Sequence, residues 1–380
     1  MGADRVFAYG AAAGLLGDLL LGDPRRGHPV AAFGRAAAAV ESVLWRDHRG
    51  WGALHTAVCV GGTVACAALA ASAVRRSPAA STALTAAATW SVLGGTSLAR
   101  EARAVGRALA AGDVEAARTR LPHLCGRDPE ALDADGIARA VVESVAENTS
   151  DAVVGALTWG ALAGVPGLLG FRAVNTLDAM VGHRSPRHRR YGWASARLDD
   201  LAGWPGARLT AVLAAAAGPD PRGAVRAWRA DAGRHPSPNA GPVEASFAGA
   251  LGVRLGGTLS YGGRVEHRPV LNGPGRAVRV GDIERAVRLS RRVGLLALGA
   301  GVAGRFAMRA VLAKGFRASL SDPAGVTGPG THICRVVVTR RRSASTPSSA
   351  LQLHAPDPAR ATQKAPSPGA GQIRKKGPKR

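Results

Sequence analysis

Two uncharged runs constrain this chain more than any other feature. Thr56–Val74 and Ser77–Ala99 contain no Asp, Glu, Lys or Arg, and only Arg75 and Arg76 separate them. Each is about as long as the roughly 20 residues a helix needs to cross a bilayer. Both are rich in Ala, Gly, Ser and Thr, the small residues that let membrane helices approach closely. A soluble helical hairpin would not need two such runs back to back. The expected fold is therefore all-α: a polytopic integral membrane protein with a hydrophilic helical segment and a disordered C-terminal tail.

Other apolar stretches extend the pattern. Ala152–Phe171 is uncharged but carries Pro166 and several glycines, which predicts a kinked span or a re-entrant segment. Val6–Leu21 contains Asp18, and its flanks do not suit a cleaved signal peptide. With Leu209–Gly218 and a segment from Val293, spans are expected near 6–21, 54–74, 77–99, 152–171, 209–218 and 293–313. Residues 1–314 form the membrane-embedded core, and 315–380 a basic low-complexity tail. Arginines flank both ends of the first two runs, so the positive-inside rule leaves their orientation open. From Arg100 to Asp151 the chain is hydrophilic, with helical periodicity over 101–120 and a break at Gly112–Asp113.

The formal charge is +24. From Arg305 onward, fifteen Lys and Arg face only Asp322 and Asp357, so more than half of the excess sits at the C-terminal end. No basic stripe with interleaved aromatics is present, which argues against nucleic acid. Cys59, Cys66, Cys125 and Cys334 show no zinc or disulfide spacing. The sequence lacks a GxxxxGK[ST] loop, a GxGxxG fingerprint and a GxSxG elbow.

The chemistry concentrates between Glu143 and Asp200. In RAVVESVAENTSD, Glu143, Glu147 and Asp151 recur every four residues and so share one helical face. Like charges at that spacing weaken a helix. They also stand at the start of an apolar run, where ionisable groups point to function. In FRAVNTLDAMVGHR, Arg172, Asn175 and Asp178 share another face, and Arg197, Asp199, Asp200 and Arg208 follow. Carboxylates suit Mg²⁺, which binds through one or two of them together with substrate phosphates. Arginine forks suit phosphate and carboxylate. The HPSPNAG turn brings His235, Ser237 and Asn239, and GDPRRGHPV brings His28.

The ordered blocks GDP…HPV, LPHLCGRD, RAVVESVAENTSDAVV, RAVNTLDAMVGHR, YGWASARLDD…PGARLT and HPSPNAG…AGALGVRLGG closely resemble the CobD/CbiB family over roughly residues 5–310. That family comprises the adenosylcobinamide-phosphate synthases of cobalamin biosynthesis. The resemblance implies a multi-pass enzyme of the cell membrane, in contact with membrane lipid. It would join adenosylcobyric acid to (R)-1-amino-2-propanol or its O-phosphate. ATP and Mg²⁺ are implied, with the corrinoid as substrate, no structural metal, and other membrane enzymes of cobalamin assembly as partners. On that reading the catalytic candidates are Glu143, Glu147, Asn148, Asp151, Asn175 and Asp178. Arg172, Arg197, Arg208, His235, Ser237, Asn239 and His28 would bind substrate or phosphate. Asp199 and Asp200, with Glu147 and Asp151, are the metal candidates. The alternative is a non-catalytic AmpE-like membrane sensor, which would not need these acids.

Overall fold

A computed structural model describes residues 2–23, 28–183, 185–261 and 264–321. The helices are α1 (Ala3–Leu21), α2 (Pro29–Leu44), α3 (Arg49–Val74), α4 (Pro78–Val92), α5 (Gly95–Ala110), α6 (Val114–Arg120), α7 (Ala134–Thr149), α8 (Gly155–Leu177), α9 (Trp193–Ala217), α10 (Pro221–Asp231) and α11 (Ala240–Leu251). A two-stranded antiparallel ribbon, β1 (Leu255–Tyr261) and β2 (Arg264–Leu271), precedes α12 (Gly281–Ser321). Among the described residues the architecture is helical apart from this ribbon.

Three helical stretches are long and apolar enough to cross a membrane: Arg49–Val74, Ala134–Gly182 and Gly281–Val311. The first and third turn large apolar side chains outward, including Val58, Val64 and Leu69 on α3 and Leu295, Phe306 and Val311 on α12. Unpartnered apolar faces of this extent need an apolar medium around them. Polar ends anchor the bundle. Asp4 at the start of α1 pairs with Arg305 and Arg309 of α12 at 3.0 and 2.9 Å. Small residues set the close packing of α1 on α4: a Cβ on Gly10 or Gly14 would lie 2.5 Å from Thr85 or Thr89.

The middle stretch turns back on itself. Gly164, inside α8, has φ 65° and ψ −145°, and Pro166 follows. These values are open to glycine and strained for other residues. A Cβ on Gly155, Gly160 or Gly167 would fall 2.3, 2.8 or 2.1 Å from Phe171, Leu168 or Trp159. Each step forward along the first limb is thus matched by a step back along the second. The apolar run Ala152–Phe171 is a helical hairpin whose two feet lie at the same end, with the expected break falling at Gly164, just before Pro166. π-Helical segments occur at both feet, Ser150–Val154 and Asp178–Gly182. Such segments are frequent at functional sites.

Other expected spans also take a different form. The run 77–99 is broken at Leu93–Gly94, where α4 ends and α5 begins. Leu209–Gly218 is the C-terminal part of α9, which packs on α8, α10, α11 and α12. Its alanines close those contacts, so the apolar run serves internal packing. The hydrophilic segment resolves into α5 and α6 with the expected break, and Asp113 caps α6 through Ala116 N at 2.9 Å. Helix α12 continues past residue 314 to Ser321. The rest of the expected tail, with Cys334, lies outside the described residues.

Candidate active site at the feet of the hairpin

The hairpin register explains how residues distant in sequence meet. Continuing the pairing of Gly155 with Phe171 places Asp151 opposite Asn175, and the two side chains interact. Asn175 Nδ2 also stands 3.5 Å from Asp199 Oδ1. Glu147 interacts electrostatically with Asp178, Arg127 and Arg268, and Asp151 with Glu147, Asp199 and Arg172. Arg172 in turn feels Asp151 and Asp23. Glu147 keeps accessible surface although protein surrounds it, and Asp151, Arg172, Asn175, Asp178, Asp199 and Asp200 are half-buried. These groups form a charged cluster between the feet of the hairpin and the start of α9.

The HPSPN turn closes one side. Asn239 is buried; its Nδ2 donates to Asp200 O at 2.9 Å, and its Oδ1 accepts from Arg208 Nη1 at 3.0 Å. Ser237 Oγ accepts from Ala240 N at 3.1 Å and so caps α11. His235 is buried, with Nδ1 accepting from Ser237 N at 3.0 Å and Nε2 3.9 Å from Glu244 Oε1. Burial pushes the His235 imidazole below its ordinary range, which keeps it neutral at pH 7. Burial, then the charges of Glu143 and Glu147, push Glu244 well above the usual carboxyl range. Burial and the nearby Asp178 charge raise Asp199 to about 7.

Some sequence candidates have another immediate task. Glu143 is buried, paired with Arg127, and accepts from Gly256 N at 2.6 Å. It ties α7 to the β-ribbon and to the loop before α7. Asn148 turns its amide back onto Ser144 O at 2.9 Å. Arg197 is largely exposed, 3.7 Å from Asp200 at the outer edge. His28 caps α2 through Val30 N at 3.1 Å, and its Nε2 lies 3.8 Å from Asp23, which relates this loop to Arg172. Three neighbours were not singled out from the sequence: Arg127, Glu244 and Arg268. Glu244 had a readable signal, since it is the single charge in the twelve-residue AGPVEASFAGAL, and buried acids are rare unless they are paired or used.

Among the described residues, no group of three or more His, Cys, Asp or Glu side chains is gathered closely enough to hold a metal ion. The acidic cluster offers carboxylate oxygens one or two at a time, the kind of donor Mg²⁺ accepts when water and phosphate oxygens complete its shell.

Fold and site together define an α-helical membrane protein with a charged cluster at the base of a helical hairpin. The family model for CobD/Cbib protein matches residues 11–290, and the chain belongs to this family. It is 56% identical over 292 residues to a cobalamin biosynthesis protein CobD of Mycobacterium tuberculosis, covering 75% of this chain and 92% of the relative. A CobD of Chromobacterium violaceum is 43% identical over 288 residues, covering 73% and 90%. One of Stutzerimonas stutzeri is 44% identical over 282 residues, covering 72% and 90%. No solved structure matches the chain. The family places the chain in cobalamin biosynthesis, as a biosynthetic enzyme.

Proposed function

We propose that this protein is a multi-pass enzyme of the cell membrane that joins adenosylcobyric acid to (R)-1-amino-2-propanol or its O-phosphate at the expense of ATP. The observation that carries this reading is the convergence of Glu147, Asp151, Asn175, Asp178 and Arg172 at the feet of the hairpin. Amide formation from a carboxylate requires activation, most simply as an acyl phosphate, and an amine freed of its extra proton. Arg172 and Arg208 are the cations placed to hold propionate or phosphate, since a guanidinium binds either in a bidentate manner. Asp199, raised to about 7, has the proton affinity of a base working near neutrality. Asn175 lies between Asp151 and Asp199 and would orient them. Glu147 and Asp151 are the residues that would hold Mg²⁺, which supplies neutralisation of phosphate charge when bound. An AmpE-like sensor gives this clustered charge no task.

The test is incubation of membranes carrying the protein with adenosylcobyric acid, aminopropanol phosphate and MgATP, followed by mass analysis of the corrinoid. The expected result is the mass gain of amide condensation. An unchanged corrinoid beside active control membranes refutes the synthase reading. Omitting ATP, or replacing the phosphorylated amine by the free one, tests those two parts separately.

A further inference from the structure

Helix α9 has two unlike faces. Its small residues, among them Ala202, Gly206, Ala207, Thr210 and Ala214, are buried in the bundle. On the other side Trp193, Arg197, Leu201, Trp204, Arg208 and Val212 recur every three or four residues and so share one face. Leu201, Trp204 and Val212 are 72%, 53% and 51% exposed there. The Arg208 guanidinium lies 4.6 Å over the Trp204 ring, and Arg197 is largely exposed. Exposed Trp and aliphatic side chains interleaved with arginine are the composition of a helix that lies in a membrane interface.

Three contacts fix the level at which α9 crosses the bundle. Near its start, Ser195 Oγ is 2.8 Å from Thr56 Oγ1, and Thr56 opens the uncharged run of α3. At its middle, a Cβ on Gly206 would lie 2.8 Å from Gly155 Cα, just past the first foot of the hairpin. At its end, Ala217 O accepts from Arg292 Nη1 at 3.4 Å, and α12 turns Leu295 and Leu296 outward directly after Arg292. Each apolar element is thus met close to the point where its polar part ends. A helix of 25 residues is about 37 Å long, and one that meets three such ends along its length runs along the membrane boundary and not through it. Asp199 leaves the opposite side of α9, toward Asn175 at 3.5 Å.

We infer that the outer face of α9 is an in-plane membrane anchor, seated where lipid headgroups meet acyl chains. Leu201, Trp204 and Val212 lie toward the chains, and Arg197 reaches the headgroup phosphates, which a guanidinium binds well. A stripe of large apolar side chains that no described residue covers is stabilised by such a medium. The charged cluster on the inner side of the same helix then stands at the level of the membrane surface. This inference rests on the membrane fold and not on the reaction proposed above.

Spin labels measure this in the full-length protein, reconstituted into phosphatidylcholine–phosphatidylglycerol vesicles, with Cys59, Cys66, Cys125 and Cys334 replaced by alanine. A nitroxide is attached at Leu201→Cys, Trp204→Cys or Val212→Cys, and at Val58→Cys or Val64→Cys on α3 for comparison. Collisions with oxygen and with a water-soluble nickel complex then report depth. The three α9 positions should share one shallow depth, about 5–10 Å below the headgroups. Val64 should lie deeper than Val58, because α3 passes through the bilayer. Leu201 and Val212 are about 16 Å apart along the helix, so a steady change of depth from one to the other would make α9 a span and overturn the anchor. Free access of the nickel complex at all three would place the face in water. Exclusion of both reagents would mean that protein, such as a second copy of this chain, covers it. Either result also overturns the inference. Corrinoid conversion in the same vesicles reports on the reaction separately.

Discussion

Two glycines with equally open surroundings should respond to alanine with opposite signs. A Cβ on Gly164 meets nothing within 4 Å, and neither does one on Gly61 in the middle of α3. Packing therefore drops out, and only the backbone differs. Gly164 has φ 65° and ψ −145°, a conformation that costs a residue with a side chain about 1–3 kcal/mol. Gly61 is helical, where alanine is better than glycine by about 0.5–1 kcal/mol. The two substitutions should thus differ by roughly 1.5–4 kcal/mol. At roughly 2 °C per kcal/mol for a chain of this size, the melting temperatures of G164A and G61A should stand about 3–8 °C apart, on either side of the parent. Thermal unfolding of the purified protein in one detergent measures this. The folded fraction of G164A should keep its corrinoid conversion, because the limb contacts at Gly155, Gly160 and Gly167 still set the feet of the hairpin. Equal melting temperatures, or a G164A protein as stable as the parent, would refute the claim that the turn needs a glycine backbone.

Glu147→Gln and Asp178→Asn should each lower corrinoid conversion by about 10²–10⁴-fold with little change in melting temperature, and normal growth in a complementation assay on adenosylcobyric acid would remove both from the chemistry. Asp199 holds its proton to about 7 against an ordinary value of 3.8, so the fold binds that proton more tightly than the unfolded chain does. Its contribution to stability is present in acid and lost as pH rises from about 4 to 7, and D199N should flatten that part of a stability–pH profile. Glu41 goes the other way. Burial raises its carboxyl, but His188 and Arg187, donating at 3.1 and 3.0 Å, outweigh this and leave it below the usual range. Its contribution is therefore present above the ordinary glutamate value and lost as pH falls, and H188A should show less acid-induced loss. Gly155→Val drives a side chain into Phe171 and should reduce both folding yield and conversion, whereas an active, well-folded G155V would contradict the limb register.

The sequence by itself determined the medium and the general place of the chemistry. Uncharged runs of about twenty residues can satisfy their backbone only as helices, and their apolar side chains then require lipid or a large core. That much follows from the run that becomes α3, Thr56–Val74, without knowledge of what touches it. The four-residue spacing of Glu143, Glu147 and Asp151 likewise fixed one face of α7, since helical periodicity is local. It could not show that the first of these acids binds Arg127 and Gly256 N while the next two open toward Asp178 and Asp199. Those partners come from other helices, and the interaction of two charges depends on distances that no local pattern contains. The Gly164–Pro166 reversal was legible as a break, but a break does not say whether a helix kinks or returns. Contacts between Gly155 and Phe171 and between Gly160 and Leu168 decided that it returns. The same holds for the β-ribbon: LGGTLSY carries too many glycines to announce a strand, and its pairing with RPVL is a tertiary fact. Tertiary structure thus turned an apolar run with acids at its edge into a hairpin whose two feet carry the site.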